Sequence, residues 1–319
     1  MRMQVRRLGG SGLQVSRLAL GTMSWGAAVD EYAADEQLRL FLDSGGTLLD
    51  TAPIYGDGSC ERVIGALLDK HGVRDELVLA GKAGVARRDG RVVTDGSLRS
   101  LLRQLDQTLA DLGTDHLDLW QVHRWDDSVP VDETMAALDQ AIRSGKVRYA
   151  GISNFTGWQT VAAQHAFSRL GGGVPLVSTQ VEYSLLRREP EIEVVPAAQH
   201  AGLSLLAWSP LGRGVLTGKY RGGVPSDSRA ADARWEAFVA PHLTPSKARV
   251  VDALAAAAEG LGVPISHVAL AWLRDQPHVG AAIVGARTTA QLQESLGSEL
   301  LDLPHEIVAA LSDVSEGVR

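Results

Sequence analysis

The sequence predicts a parallel α/β protein, and specifically a single (β/α)8 barrel. Eight short apolar segments alternate with segments of helical periodicity, and continuous apolar runs are typical of parallel strands buried on both faces. The 319 residues suit eight such repeats in one domain spanning 1–319, with no linker that divides it. An open doubly wound sheet is the alternative, but Leu20–Gly26, after the first strand, lacks the glycine-rich dinucleotide fingerprint expected there.

The eight strands and two further segments account for most of the chain. We predict strands at Arg17–Gly21, Thr47–Thr51, Leu77–Lys82, Leu117–His123, Val147–Ser153, Ser178–Tyr183, Leu203–Ser209 and Ala281–Gly285. Val5–Val15, with glycines at its centre, predicts a hairpin that plugs the N-terminal end of the barrel. A segment as long as Leu211–Leu243 is usually functional, and we expect its Trp235 and Phe238 to cover a cofactor or substrate.

Three helices can be delimited from sequence. Ser97–Leu112 places its leucines on one stripe and its charged residues on the other face. Thr244–Leu261 is predicted to have Ser246 as its N-cap and to stop at Gly262. Val263–Gln276 is bounded by prolines. We also expect extra helices near the C-terminus of the barrel.

Composition narrows the functional classes. Lys and Arg number 31 and Asp and Glu 38, giving a net charge of −7 without a basic stripe, which argues against a nucleic-acid partner. No apolar run reaches the roughly 20 residues that span a bilayer, and glycines interrupt the basic N-terminal stretch. The lone cysteine, Cys60, excludes an intramolecular disulfide framework and a cysteine metal cluster. We therefore expect a cytoplasmic protein with no metal ion and no membrane partner.

Titratable residues lie at the ends of successive predicted strands. Asp50 ends the second strand, Lys82 the third and His123 the fourth, and Tyr55 lies just beyond Asp50. Because the C-terminal strand ends of such a barrel form its active site, we expect these four side chains at one mouth.

The chemistry of this group suits polarisation of a carbonyl. Tyr55 has an ordinary pKa near 10, and a neighbouring Lys82 ammonium would lower it. Asp50 would keep Lys82 charged, and His123 would donate to a substrate oxygen. Taken singly, each residue also has a structural interpretation: a turn aspartate, a lysine that reaches solvent, or a hydrogen-bonded core histidine.

The chain resembles the aldo-keto reductases through seven motifs in the same order. They are Asp50-Thr-Ala-Pro-Ile-Tyr55-Gly56, Gly81-Lys82, Gln121-Val-His123-Arg-Trp125, Gly151-Ile-Ser153-Asn154-Phe155, Gln180-Val-Glu-Tyr183, Trp208-Ser-Pro-Leu-Gly-Arg-Gly214 with Leu216-Thr-Gly-Lys219-Tyr220, and Ile283-Val-Gly285-Ala-Arg287. With their flanks, these motifs cover nearly the whole chain.

The resemblance implies a barrel that transfers hydride from NADPH to an aldehyde or ketone, reversibly. It makes Tyr55 the general acid, tuned by Asp50 and Lys82, with His123 orienting the carbonyl. The implied cofactor residues are Ser153, Asn154 and Gln180 at the nicotinamide carboxamide, Trp208 against its ring, Ser209, Leu211, Gly212, Gly214 and Lys219 along the pyrophosphate, and Gly285, Arg287, Gln291, Glu294 and Ser295 at the adenosine end.

The sequence departs from the family pattern at the adenosine end. Val284 replaces a common proline, Ser295 an asparagine that contacts adenine, and Gln291 an arginine of some branches. The 2′-phosphate is therefore expected to depend mainly on Arg287, and NADPH is favoured over NADH.

The substrate is expected to be a small carbonyl compound or alcohol, and the chain could form a homo-oligomer. Trp25 and Trp125 could wall the substrate pocket or serve in packing. Two alternative functions stay open at this stage. One is an NADPH-binding regulatory module with weak turnover, and the other is a lyase or aldolase that uses Lys82 as a Schiff base.

Overall fold

A computed structural model describes residues 3–233 and 235–318 and contains a closed parallel barrel. In this part of the chain the strands are β1 (Val5–Arg7), β2 (Gln14–Ser16), β3 (Leu18–Gly21), β4 (Leu48–Asp50), β5 (Val78–Ala83), β6 (Val85–Arg88), β7 (Arg91–Thr94), β8 (Leu117–Val122), β9 (Val147–Ser153), β10 (Ser178–Glu182), β11 (Ser204–Trp208) and β12 (Val279–Val284). The barrel order is β3-β4-β5-β8-β9-β10-β11-β12, and β12 pairs with β3. The predicted barrel and its eight strands are confirmed, with bounds that differ by at most two residues.

Helices surround the barrel. They are α1 (Glu31–Asp43), α2 (Ser59–His71), α3 (Leu98–Leu112), α4 (Val131–Arg143), α5 (Gly157–Ser168), α6 (Pro190–Ala201), α7 (Glu236–Val239), α8 (Pro245–Leu261), α9 (Ile265–Arg274), α10 (Thr289–Gly297) and α11 (His305–Glu316). The extra helices predicted near the C-terminus are present, because α8 and α11 pack against each other outside the eight repeats. No single described helix is long and apolar enough to cross a membrane, and α8 with α9, which together reach that length, bend by 103° at their break.

The beginning of α8 differs from the prediction. Thr244, rather than Ser246, is the N-cap, and its hydroxyl accepts from the Lys247 backbone N–H. Pro245 occupies the first helical position, where its missing N–H and fixed φ favour the helix start one residue after Thr244. The choice of Ser246 was therefore wrong, while the end at Gly262, in the left-handed region, is as predicted.

The predicted N-terminal hairpin closes the floor of the barrel. β1 pairs antiparallel with β2, and Leu8 between them is fully buried among apolar side chains from several barrel strands. Gly9 follows in the left-handed region, with a φ of 52°. A Cβ at Gly9 would lie 2.7 Å from the carbonyl oxygens of Gly202 and Val177, so a side chain would not fit there.

A second hairpin, β6–β7, was not predicted. It follows β5 at the C-terminal end of the barrel, and Asp89-Gly90 forms its tip, with both residues at positive φ. An Asp-Gly pair between strand-like residues is the usual signal for a two-residue hairpin turn, so this element could have been found from sequence. Arg87 donates to the Asp57 carboxylate at 3.1 Å and ties the hairpin to the loop after Tyr55.

The cap assignment predicts a stability difference between two hydroxyl residues. Thr244→Ala removes the acceptor for the Lys247 N–H and should lower the free energy of unfolding by about 1 kcal/mol. Ser246→Ala, the matched removal of a hydroxyl two residues further along, should change it by less than about 0.5 kcal/mol. Urea unfolding followed by circular dichroism measures both, and equal losses would contradict the cap assignment.

Candidate active site

A cavity of about 540 Å³ opens at the C-terminal end of the barrel. This volume lies within the range of small-molecule and cofactor sites. Residues on or after β3, β4, β8, β9, β10, β11 and β12 line it, so seven of the eight barrel strands contribute. Tyr55 and His123 line one part, and Lys219, Arg229 and Arg287 line another.

The four titratable residues predicted at the strand ends come together beside this cavity. Lys82 Nζ donates to Asp50 Oδ2 at 2.7 Å, to the Thr51 carbonyl at 3.0 Å and to the Tyr55 hydroxyl at 3.4 Å. The rings of Tyr55 and His123 stand nearly perpendicular, with centroids 6.3 Å apart. A phenol that can donate a proton and an imidazole thus face the same space.

The Lys82–Asp50 ion pair is almost entirely removed from water. The side chain of Lys82 is 0% exposed and that of Asp50 is 4% exposed. Burial acts to lower the pKa of Lys82, but the Asp50 carboxylate and the Tyr55 oxygen outweigh it, so this pKa lies above its ordinary value. Asp50 Oδ1 accepts from Gln180 Nε2 at 2.8 Å, so both carboxylate oxygens have partners. Lys82 is therefore a fixed positive charge behind Tyr55.

Burial raises the pKa of Tyr55 above its ordinary value, and the Lys82 charge opposes this without reversing it. Lys82 lowers this pKa as expected, but desolvation of the phenolate is the larger effect, so the pKa lies above its ordinary value. Tyr55 consequently stays protonated near neutral pH, as a proton donor must be.

His123 is a neutral hydrogen-bonding group. Burial, followed by the charges of Lys82 and Arg124, lowers its pKa to about 3. Its Nδ1 is buried and has no hydrogen-bond partner among the described residues. Because His123 lines the cavity, the tautomer with hydrogen on Nε2 can donate to a ligand there.

Amide groups occupy the neighbouring strand ends. Asn154 Nδ2 donates to the His123 carbonyl and to Ser153 Oγ, both at 3.0 Å, and Asn154 Oδ1 accepts from Trp208 Nε1 at 3.1 Å. Asn154, Gln180 and Trp208 line the cavity. Ser153 is fully buried and donates to the Gln180 carbonyl at 3.0 Å, so the structure places it behind Asn154 rather than at the cavity wall.

The loop after β11 holds an unusual backbone. Ser209 and Arg213 have φ values of 52° and 58°, which are uncommon outside glycine and cluster at functional sites. Among the predicted pyrophosphate residues, Ser209, Leu211, Gly214 and Lys219 line the cavity. Gly212 is buried behind them, where a Cβ would lie 2.9 Å from a methyl group of Leu186.

Three cations gather where the cavity meets β12 and α10. Burial, followed by the charges of Arg287 and Arg229, lowers the pKa of Lys219, and burial with Arg287 lowers that of Arg229. Arg287 also donates to the Asp227 carbonyl at 2.9 Å. Because the charge of Arg287 lowers the pKa of both Lys219 and Arg229, an anion bound here would relieve the repulsion between these cations.

Arg229 was missed at the sequence level. It lies in the long segment that was expected to be functional, but no strand end places it near the mouth. Its position depends on a 3-10 turn, Arg229–Ala231, and on stacking over Trp235 at 5.6 Å. The sequence signal that could have identified Arg229 is that it is an arginine within a segment expected to be functional.

The remaining predicted adenosine residues line the same end of the cavity. Gln291 Oε1 accepts from the Arg287 backbone N–H at 3.0 Å, and Ser295 Oγ donates to the Gln291 carbonyl at 3.0 Å. Glu294 accepts from the Ser266 hydroxyl. Gly285 and Arg287 precede α10, and Gln291, Glu294 and Ser295 lie within it.

The two tryptophans considered for the substrate pocket lie elsewhere. Trp25 is fully buried and its indole donates to Gln37 Oε1 at 3.0 Å, so its assignment to the pocket wall was wrong. Trp125 packs edge-on against Phe155 and Trp158, with ring centroids 5.2 Å away in each case. Trp125 lines a separate small hollow, so its pocket assignment was also wrong for the described cavity.

Part of the segment Leu211–Leu243 lines the cavity, and contacts with Glu182 hold it in place. We call residues 226–233 and 235–243 the covering segment; Arg229 and Phe238 within it line the cavity. Glu182, at the end of β10, accepts from Arg213 at 2.5 and 2.7 Å and contacts His242 Nε2 at 3.1 Å. Arg213 in turn donates to the Phe238 carbonyl and lies 4.0 Å over its ring. Of the two aromatic residues expected to cover a cofactor or substrate, Phe238 lines the cavity and Trp235 does not.

Comparisons with known proteins give one consistent family. The model for the Aldo/keto reductase family matches residues 17–316. The chain is 37% identical to the uncharacterized oxidoreductase YrpG of Bacillus subtilis (strain 168), over 99% of this chain and 97% of that protein. It is 34% identical to the L-glyceraldehyde 3-phosphate reductase of Escherichia coli O157:H7, over 92% and 87%. It is 33% identical to a probable voltage-gated potassium channel subunit beta of Arabidopsis thaliana, over 92% and 90%.

The match therefore extends over nearly the whole barrel, including the strand ends that carry Asp50, Tyr55, Lys82 and His123. An oxidoreductase that acts on carbonyl compounds is the activity that this family supports. The chain belongs to the aldo/keto reductase family.

Proposed function

We propose that the protein is an NADPH-dependent reductase of aldehydes or ketones, and an alcohol dehydrogenase in reverse. The observation that carries the proposal is the buried Lys82–Asp50 pair against the hydroxyl of a protonated Tyr55, in a cavity shared with neutral His123. Such a group can protonate a carbonyl oxygen while a hydride arrives at the carbon.

The lining of the cavity fits NADPH. Trp208 offers a half-buried indole face for a flat ring, and Gln180 Oε1 is free to accept from a carboxamide. Lys219, Arg229 and Arg287 suit the phosphates, since charge-assisted pairs with guanidinium groups are strong. When bound there, NADPH would supply the hydride for the reaction.

The geometry of the four residues indicates which of them donates the proton to the carbonyl oxygen. His123 donates to the carbonyl oxygen and fixes its position, and its low pKa keeps it from competing as an acid. Tyr55 then gives its proton to that oxygen as the carbon accepts the hydride. The positive charge of Lys82, 3.4 Å from the hydroxyl, stabilises the phenolate that forms. In the reverse direction the phenolate takes the proton back from the alcohol.

A Schiff-base function for Lys82 is not supported. Its amine is fully buried, pairs with Asp50 and has a raised pKa, so it is held as an ammonium rather than as a nucleophile. A regulatory NADPH-binding module is the second candidate, because one relative is named as a probable potassium channel subunit beta. The presence of all four catalytic candidates at one mouth favours the enzyme.

Removal of the Tyr55 hydroxyl should lower the rate of carbonyl reduction without a comparable loss of NADPH affinity. Tyr55→Phe should lower kcat for carbonyl reduction by about 100-fold or more, since general acid catalysis is lost. NADPH affinity, measured by fluorescence titration, should stay within about threefold, because the ring is retained. Tyr32→Phe, at an exposed tyrosine on α1, is the control. Normal turnover in Tyr55→Phe would discard the acid assignment, and negligible turnover in the wild type would favour the regulatory module.

Removal of a cation should discriminate between the two nicotinamide cofactors. Arg287→Ala should weaken NADPH binding by about 10-fold or more and NADH binding much less, if its guanidinium pairs with the 2′-phosphate. Arg99→Ala, at an exposed arginine on the outer face of α3, is the charge-matched control. Equal losses for both cofactors would refute the 2′-phosphate role.

The low pKa of His123 makes a prediction about pH dependence. With a pKa of about 3, His123 is already neutral at pH 5 and gains no proton between pH 5 and pH 8. The kcat/KM for carbonyl reduction should therefore show no limb near the ordinary histidine value of about 6.5. Tyr55, with a raised pKa, should stay protonated over the same range. A limb near pH 6.5 that disappears in His123→Asn would contradict the neutral imidazole.

A further inference from the structure

Arg124 brings an uncompensated positive charge to the catalytic part of the cavity. It follows His123 directly and lines the same cavity as Tyr55. Among the described residues its guanidinium has neither a hydrogen-bond nor an ion-pair partner. Asp126 and Asp127, the nearest acidic residues in sequence, are bonded elsewhere: Asp126 accepts from Gly96 and Ser128, and Asp127 from the Trp125 indole.

The other cavity-lining arginines are placed differently. Arg213 pairs with Glu182, and Arg229 and Arg287 belong to the cation cluster near β12. Arg124 follows β8, which lies opposite β12 in the eight-strand ring. The proposed cofactor residues follow β9, β10, β11 and β12. Arg124 therefore stands across the mouth from the cluster assigned to the phosphates, on the side left for substrate.

The charge of Arg124 reaches the reacting end of the cavity. After burial and Lys82, Arg124 is the third contribution that lowers the pKa of His123. An arginine here offers a planar fork of donors that matches a carboxylate or a phosphate. Met23, Ser24 and Phe238, which carry no charge, also line the cavity.

We propose that Arg124 selects carbonyl substrates that carry an anionic group, a carboxylate or a phosphate, beyond the reacting carbon. This inference rests on the proposed carbonyl reduction and names the substrate class for the same site. Arg124 would bind the anionic group while His123 and Tyr55 engage the carbonyl oxygen.

The test compares matched substrates with and without the anion. Succinic semialdehyde is paired with butanal, and glyceraldehyde 3-phosphate with glyceraldehyde, all with NADPH. In the wild type we expect the anionic member of at least one pair to have a kcat/KM about 10-fold or more above its neutral partner. The pair that shows this preference identifies the carboxylate or the phosphate as the group recognised.

Variants at position 124 then assign the preference to the guanidinium. Arg124→Gln should lower the anionic-to-neutral ratio of kcat/KM by about 10-fold or more, and Arg124→Lys should retain part of it. Arg103→Gln removes the same charge at an exposed site on α3 and should leave the ratio unchanged. An unchanged ratio in Arg124→Gln, or no anion preference in the wild type, would overturn the inference.

A binding measurement separates this inference from the proposed reaction. Calorimetric titration of succinate and of glycerol 3-phosphate into the protein with NADP+ present does not require turnover. Weaker binding in Arg124→Gln than in the wild type supports the anion site even if no carbonyl is reduced, in which case the proposed function alone fails. Equal binding in both proteins overturns the anion site.

Discussion

The buried ammonium of Lys82 is the constraint on which the site depends. An unpaired ammonium removed from water would be very costly, so its neighbours must supply a carboxylate and further acceptors. Asp50 and the Thr51 carbonyl do so from the end of β4, and Gln180 holds the second oxygen of Asp50 from β10. The hydrogen bonds that compensate the Lys82 charge thus connect β5, β4 and β10 across the barrel interior. The Tyr55 hydroxyl accepts a hydrogen bond from the Lys82 ammonium, so the bonds that fix Lys82 also orient Tyr55.

The mouth divides into two sides with different kinds of support. Asp50 and Lys82 stand on strands of the closed barrel, His123 directly follows β8, and Tyr55 lies in the turn after β4. The cations near β12 stand on loops, and Arg229 reaches the cavity from the covering segment. That segment is tied to β10 by Glu182 through Arg213 and His242. Its contribution to the cavity therefore depends on a few side-chain contacts rather than on a strand ladder.

Much of the fold and the proton-transfer group could be predicted from sequence because both follow from strand periodicity. Buried parallel strands are continuous apolar runs, and a polar residue at the end of such a run must lie at the mouth; Lys82 and His123 were found in this way. Arg229 could not be placed, since its position depends on a 3-10 turn in an irregular segment and on the contact of its guanidinium with the Trp235 ring.

The errors in the sequence-based prediction have physical reasons. Trp25 follows a strand and so resembles a pocket residue, but a buried Gln37 on α1 captures its indole N–H. Burial at Tyr55 exceeds the pull of Lys82, and the extent of burial is not visible in a sequence. At α8 the choice between two neighbouring hydroxyl residues turned on Pro245, which starts the helix immediately after Thr244.

The separate support of the covering segment has a consequence for how such a barrel can diverge. Substitutions or length changes in residues 226–233 and 235–243 leave the hydrogen-bond ladders of β4, β5 and β8 untouched. The part of the cavity wall formed by Arg229 and Phe238 and the strands that carry Asp50 and Lys82 are therefore inherited on separate parts of the chain. Evolution, or a designer, can exchange the covering segment while the barrel strands are kept intact.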